Sequence, residues 1–129
     1  MRRALPRATI RDVSRTVLIV DDHADFRRTV RALLEADGFD VVGEAADGRL
    51  AIAEANRLRP RLVLLDIQLP DIDGFEVARR LREATDPPAV VMTSSRTASS
   101  YRRRFAQSPG LGFIPKSDLS GEALAAFFA

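Results

Sequence analysis

The sequence predicts an α/β fold: a doubly wound, five-stranded parallel sheet with helices on both faces. Two observations carry this. From Thr16 onward, short β-branched or aliphatic runs alternate five times with longer segments of helical period, the pattern of repeated βα units. Three of the five runs are continuously apolar, as expected for strands covered on both faces. With 129 residues the chain has room for one domain with a real core, and no separate effector domain is expected.

The strands are predicted at Val17–Val20, Phe39–Glu44, Leu62–Leu65, Ala89–Met92 and Gly112–Ile114, with the second and fifth as sheet edges. Between the first two, Phe26, Val30, Leu33 and Leu34 form a helical stripe, and Gly38 supplies its stop. The second helix begins after Asp47-Gly48, turns Ala51, Ala55 and Leu58 to one side, and must end at Pro60. A third starts near Gly74, buries Phe75, Ala78 and Leu81, and is closed by Pro87-Pro88. A fourth helix, Ala98 to Gln107, has only Tyr101 and Phe105 as apolar markers, with Arg102-Arg103-Arg104 between them. The last runs from about Ser120 to Phe128.

The formal charge of +2 conceals an asymmetry, because residues 1–16 hold five arginines against Asp12 and the remainder is net negative. Residues 1–15 therefore read as a basic, solvated and disordered arm preceding a domain at 16–129, rather than as a nucleic-acid contact. No cysteine is present, which excludes a disulfide framework and cysteine metal sites. The longest apolar runs, such as Leu62 to Leu65, are far too short to span a bilayer, and Pro6, Arg7, Arg11 and Asp12 interrupt the segment where a signal peptide would be apolar. A cytoplasmic protein without membrane contact is expected.

In a doubly wound sheet, ligands sit beyond the carboxyl ends of the strands. The first strand runs into Asp21-Asp22 and the third ends at Asp66, so three carboxylates are predicted at one sheet edge. Three anions there repel unless a hard divalent cation is bound, and Mg²⁺ takes one or two carboxylates together with waters and phosphate oxygens. The fourth strand leads to the hydroxyls of Thr93-Ser94-Ser95, and the fifth delivers Lys116, the only lysine among 20 basic residues. Each feature alone has a plainer explanation: an acidic pair caps a helix, hydroxyls make local loop bonds, a lysine faces solvent. Their convergence on one edge does not. His23, the only histidine, has no second His or Cys to complete a transition-metal set and is read as a helix-start residue. Asp73 before Gly74 is read as a cap in a supporting loop.

Asp21-Asp22, LVLLDIQLPDIDG (Leu62 to Gly74), VVMTSS (Val90 to Ser95) and GFIPK (Gly112 to Lys116), in this order and spacing, resemble the receiver domains of two-component response regulators over nearly everything after Thr16. The resemblance implies a flavodoxin-like (βα)5 fold with strand order 2-1-3-4-5. It implies Asp66 as phosphoacceptor, Mg²⁺ held by Asp21, Asp22, Asp66 and the backbone carbonyl of Gln68, and Thr93 and Lys116 contacting the phosphoryl group. It further implies a phosphohistidine donor, either a sensor histidine kinase or a histidine phosphotransfer protein, and a switch in which Thr93 moves and Phe113 changes rotamer. The output surface would include Tyr101, Phe105, Phe113 and Phe127 and address an unidentified downstream protein, although Tyr101 and Phe105 also fit a core. No catalysis beyond slow self-dephosphorylation is implied.

Two departures stand out. Ser117, not proline, follows Lys116, while Pro115 precedes it; and only 13 residues follow Lys116, so the last helix is expected to be short and incompletely packed, with Phe127 or Phe128 available for a homodimer or partner contact. The alternatives are a phosphorylation-independent interaction module of the same fold and a hydrolase of the haloacid-dehalogenase kind. Against the latter, Gln68 stands where a second aspartate would be needed.

Overall fold

In the computed structural model, residues 15–128 are described. Residues 1–14, which make up nearly all of the expected basic arm, lie outside them. One sheet of five parallel strands forms the centre: β1 (Thr16–Val20), β2 (Asp40–Ala45), β3 (Leu62–Asp66), β4 (Ala89–Ser94) and β5 (Gly112–Pro115). Their order is β2-β1-β3-β4-β5, as predicted, so β2 and β5 are the edges. The helices are α1 (Ala24–Ala36), α2 (Gly48–Leu58), α3 (Gly74–Leu81), α4 (Arg102–Ala106) and α5 (Gly121–Ala125).

Two apolar clusters cover the sheet, one per face, because successive side chains of a strand point to opposite sides. Leu18, Val20, Val63 and Leu65 meet Ala51 and Ala55 of α2, Phe75 and Ala78 of α3, and Tyr101. Val17, Ile19, Leu62 and Leu64 meet Val30 and Leu34 of α1 and Leu124 of α5. All five residues of β3 are buried, which accounts for its unbroken apolar sequence up to Asp66.

The boundaries of α1 and α2 and the starts of α3 and α5 follow the predicted signals, whereas α3 ends at Leu81, well before Pro87-Pro88, and turns fill the interval. Gly38 adopts φ 89° after α1. Arg59 takes a left-handed conformation at the end of α2, immediately before Pro60. Asp47 and Ser120 cap α2 and α5 through Leu50 N–H and Ala123 N–H. Tyr101 is buried and belongs to the core, while Phe105 is partly buried and packs against it.

Four expectations are corrected. β4 extends through Thr93 and Ser94, both buried, rather than ending at Met92, because its ladder with β3 continues to Asp66↔Thr93. The single fourth helix is instead a 3₁₀ turn, Ala98–Tyr101, leading into a five-residue α4. Hydroxyls at its start bond one another, Thr97 Oγ1 to Ser99 Oγ at 2.8 Å, and compete with a regular helical start. The last helix likewise divides into α5 and a 3₁₀ turn, Ala126–Phe128. Its end is not loosely packed: Leu124 is fully buried, Phe127 covers Gly112 so closely that a Cβ there would clash, and the Phe128 ring lies 5.6 Å from Phe39.

Candidate functional site

Three strand ends deliver the pocket. Asp21 follows β1 directly and its N–H donates to the carbonyl of Ala45 at the end of β2, 3.0 Å. Asp66 is the last residue of β3, paired in register with Thr93 of β4. Lys116 follows β5 in a 3₁₀ turn, Lys116–Asp118, and no peptide bond is cis among the described residues. The carboxyl edge thus gathers Asp21, Asp22, Asp66, Thr93 and Lys116, as the strand pattern predicts. Asp22, His23, Asp66, Gln68, Ser95 and Lys116 line one shallow cavity there.

Asp21 has no exposed surface and the Asp66 side chain is 5% exposed. Between them lies the Lys116 ammonium, 2.7 Å from Asp21 Oδ2 and 3.4 Å from Asp66 Oδ2. The contact to Asp21 is an ion pair lacking the alignment of a hydrogen bond. The ammonium also sits 4.3 Å above the Phe26 ring, which fixes the stem. Gln68 N–H donates to Asp66 Oδ1 at 3.2 Å, so the loop after β3 orients the carboxylate.

Burial and the neighbouring charge of Asp21 push Asp66 up to about 6, only partly countered by Lys116. Burial also opposes ionisation of Asp21, but the contacts from Lys116 and His23 outweigh it and hold that carboxyl below its usual range. For Lys116, burial favours the neutral form, but Asp21 and Asp66 favour the ammonium more strongly and hold its pKa above the ordinary lysine value. The Thr93 hydroxyl is fully buried and has no hydrogen-bond partner. A buried hydroxyl in that state carries a desolvation cost that a ligand oxygen would relieve.

The supporting loop is held from two sides. Asp73 accepts from Phe75 N–H and receives both guanidinium branches of Arg104 at 2.7 and 2.8 Å, tying the start of α3 to α4. Gly74 approaches the backbone so closely that a Cβ would lie 2.6 Å from the Ile67 carbonyl oxygen and 2.7 Å from that of Asp66. Phe113 is partly buried on β5, its ring 5.3 Å from Phe105, which in turn meets Phe75 edge-on at 5.0 Å.

Two contributors were not legible beforehand. His23 Nδ1 lies 3.0 Å from both Asp21 Oδ1 and Asp22 Oδ1, inside the acidic cluster rather than merely at a helix start. Its place beside the acidic pair was the available signal. Arg27 donates to the backbone carbonyl of Asp21 at 2.6 Å and to Glu44 at 2.9 Å, bracing the site from α1 and β2. Nothing in the sequence distinguishes Arg27 from the other arginines.

Ligand atoms of Asp21, Asp22, His23 and Asp66 all lie within 4.8 Å of one another. Three carboxylates converging this closely, with one ammonium for two buried anions, is a donor set fitted to a hard divalent cation.

Fold and pocket together define a flavodoxin-like α/β domain with an acidic, lysine-closed site at the carboxyl edge of its central strand. The sequence profile of the response regulator receiver domain matches residues 17–126, and the chain belongs to that family. A Pseudomonas aeruginosa protein named for transcriptional regulation is 40% identical over 110 residues, 85% of this chain and 53% of the relative. A protein-glutamate methylesterase/protein-glutamine glutaminase of Alkalilimnicola ehrlichii is 41% identical over 110 residues, 81% of this chain and 28% of the relative. This chain therefore spans about half, or less, of the length of these relatives. Among solved structures, the signal receiver domain of NarL from Mycobacterium tuberculosis superposes with a TM-score of 0.79 at 30% identity, covering 88% of this chain and 94% of that one. Receiver domains are signalling modules that bind Mg²⁺ at an acidic pocket and interact with histidine kinases or phosphotransfer proteins. Among the described residues no helix is long and apolar enough to cross a membrane.

Proposed function

We propose that residues 16–129 act as a phosphoryl-accepting switch, with Asp66 as the acceptor and a phosphohistidine of a sensor kinase or phosphotransfer protein as the donor. The observation that carries this reading is the buried Asp66 carboxylate at the end of the central strand, between two further aspartates and the only lysine of the chain.

An Asp66 oxygen attacks phosphorus in line, forming a P–O bond as the donor P–N bond breaks; the donor imidazole leaves with the electron pair and takes up a proton. Gln68 N–H holds Oδ1 and so leaves the orientation of the attacking carboxylate to a rigid loop. Lys116, already beside Asp66 Oδ2, neutralises charge on a transferring oxygen. Thr93, with its free buried hydroxyl, donates to another. Asp21, Asp22, Asp66 and the Gln68 carbonyl would hold Mg²⁺, which when bound supplies charge neutralisation for the phosphoryl oxygens. Occupation of the Thr93 hydroxyl frees space beside β5, and Phe113 responds by changing its packing on Phe105, which alters the surface offered to a downstream protein.

Intact-mass spectrometry after incubation with acetyl phosphate and Mg²⁺ tests the reading. A single phosphoryl addition in the wild type, absent with a chelator and absent in Asp66→Asn, is expected. An unchanged wild-type mass with acetyl phosphate and with phosphorylated kinase alike would sink it and favour an interaction module that works without phosphorylation.

A further inference from the structure

The loop from β3 to α3 carries Gln68, and Asp71 on the same loop reaches across to α2. Its Oδ1 accepts from Gly48 N–H at 2.7 Å and its Oδ2 from Arg49 N–H at 3.0 Å, the first two backbone donors of that helix. Oδ1 also accepts from the following Ile72 N–H at 2.8 Å. Burial works against ionisation of this carboxyl, but the N–H groups of Gly48, Arg49 and Ile72 outweigh it and hold Asp71 below the usual carboxylate range.

Helix α2 already has a cap of its own. Asp47 takes Leu50 N–H on its side chain at 2.8 Å and Ala51 N–H on its carbonyl at 3.0 Å, so Asp71 serves the two donors that remain. The approach is close: a Cβ on Gly48 would lie 2.8 Å from Val77 Cγ2 and 3.1 Å from Ile72 Cβ. The loop has a second fixed point at its base, where Gly74 N–H donates to the Ile67 carbonyl at 3.0 Å. Between that base and Asp71 stand Gln68, Leu69 and Pro70, all three lining the acidic cavity. Pro70 fixes its own φ and restricts Leu69, so the span is stiff and a shift at Asp71 is passed on to Gln68. Gln68 itself is exposed, and packing of its side chain does not hold its backbone in place.

We propose that Asp71 is a positioning residue for the Asp66 site: its carboxylate ties the loop to α2 and thereby sets where Gln68 stands. Gln68 N–H in turn orients Asp66 Oδ1 at 3.2 Å, and the Gln68 carbonyl is the one assigned above to Mg²⁺. The inference rests on the reading of Asp66 as phosphoacceptor and deepens it, because the alignment of the nucleophile then depends on a contact outside the cavity. Loss of the Asp71 carboxylate leaves the base of the loop closed at Gly74 and frees its outer side. Gln68 gains motion while the fold persists.

The test is made on the full chain, as wild type, Asp71→Ala, Asp71→Asn and Asp47→Ala, at a temperature where circular dichroism shows each to be folded. Asp47→Ala removes the helix's own cap and weakens α2 without touching the tether. Exchange of the Gln68 amide is followed by NMR without metal. Intact mass with acetyl phosphate then gives the saturating rate of phosphoryl uptake and the Mg²⁺ concentration that produces half of it. In Asp71→Ala the Gln68 amide is expected to exchange about tenfold faster, the half-saturating Mg²⁺ to rise about tenfold and the saturating rate to fall several-fold, the loss expected when the support of a ligand is removed. Asp71→Asn keeps one acceptor oxygen and should fall between; it carries the same comparison if Asp71→Ala does not fold. In Asp47→Ala all three quantities should stay within about twofold of the wild type, since the Asp71 tether is intact.

An Asp71→Ala protein that matches Asp47→Ala, less stable but with unchanged Gln68 exchange, Mg²⁺ dependence and rate, overturns the inference and leaves Asp71 a second cap of α2. Slower uptake with unchanged Gln68 exchange overturns it as well, because the effect then bypasses Gln68. A wild type that takes up no phosphoryl group removes the phosphoacceptor reading and this inference with it, whereas a competent wild type beside an unaffected Asp71→Ala removes the inference alone.

Discussion

Asp66 is held in a conflict that its function requires and its folding does not. Its carboxyl, displaced from 3.8 to about 6 by burial and by Asp21, binds a proton more tightly in the folded chain than in the unfolded one. Below about pH 4 both states are protonated and no cost arises; the cost grows as pH rises toward 6 and is complete above it. At neutral pH it is on the order of 2–3 kcal/mol. Asp66→Asn should therefore stabilise the metal-free protein by up to about that amount at pH 7, and by much less at pH 4, in urea denaturation with a chelator present. Mg²⁺ added to the wild type should recover part of the difference by mass action. Thr93 poses a related case. Replacing its unpartnered buried hydroxyl, Thr93→Val, is expected to leave stability equal or raise it by about 1 kcal/mol, while phosphoryl uptake slows. A clear loss of stability would show that the hydroxyl has a folded-state partner.

At the level of elements, the pocket depends on how tightly the loop after β3 is drawn against the strand. Gly74 at the start of α3 is the point of closest approach, and Gly74→Ala would push a methyl into the carbonyls of Asp66 and Ile67. Backbone cannot give as a flexible side chain does, so a destabilisation of about 1–3 kcal/mol and a slower phosphoryl uptake are expected together. Asp73 and Arg104 join the same loop to α4, with the Arg104 guanidinium also 4.3 Å above the Phe75 ring. A five-residue helix behind a 3₁₀ turn has little stability of its own and takes its position from such contacts. Arg104→Ala should speed amide hydrogen exchange across residues 98–107 and leave β1 and β3 protected; uniform protection would mean that the Phe75, Phe105 and Phe113 packing suffices.

For the molecule as a whole, the sheet is stable only if both faces are covered, and the face under α1 and α5 has the shorter final helix. Leu124 compensates, being fully buried against Ile114 and the odd-numbered β1 residues Val17 and Ile19. Leu124→Ala is expected to cost about 2–4 kcal/mol by denaturant titration, close to that of a central-strand leucine such as Leu64. A cost well under 1 kcal/mol would make α5 peripheral to the fold. Phe127 and Phe128 complete that face over Gly112 and Phe39, which is why the final turn is packed.

The run Leu62 to Leu65 ending at Asp66, the pair Asp21-Asp22 after Val20, and Lys116 after Ile114-Pro115 determined by themselves the parallel α/β fold and the edge where the site lies. Strand period and burial on two faces are local properties of side chains, so the sequence carries them directly. Helix limits at Gly38, Pro60 and Gly74 belong to the same class, since each reflects the backbone freedom of one residue. What the tertiary structure alone decided depends on distance across the fold: the extension of β4 through Thr93, set by its ladder to Asp66; the division of α4, where hydroxyls and core contacts compete; and the positions of His23, Arg27 and Arg104. A charged or aromatic ring nitrogen can reach several partners, and only the assembled sheet fixes which carboxylates stand within its reach.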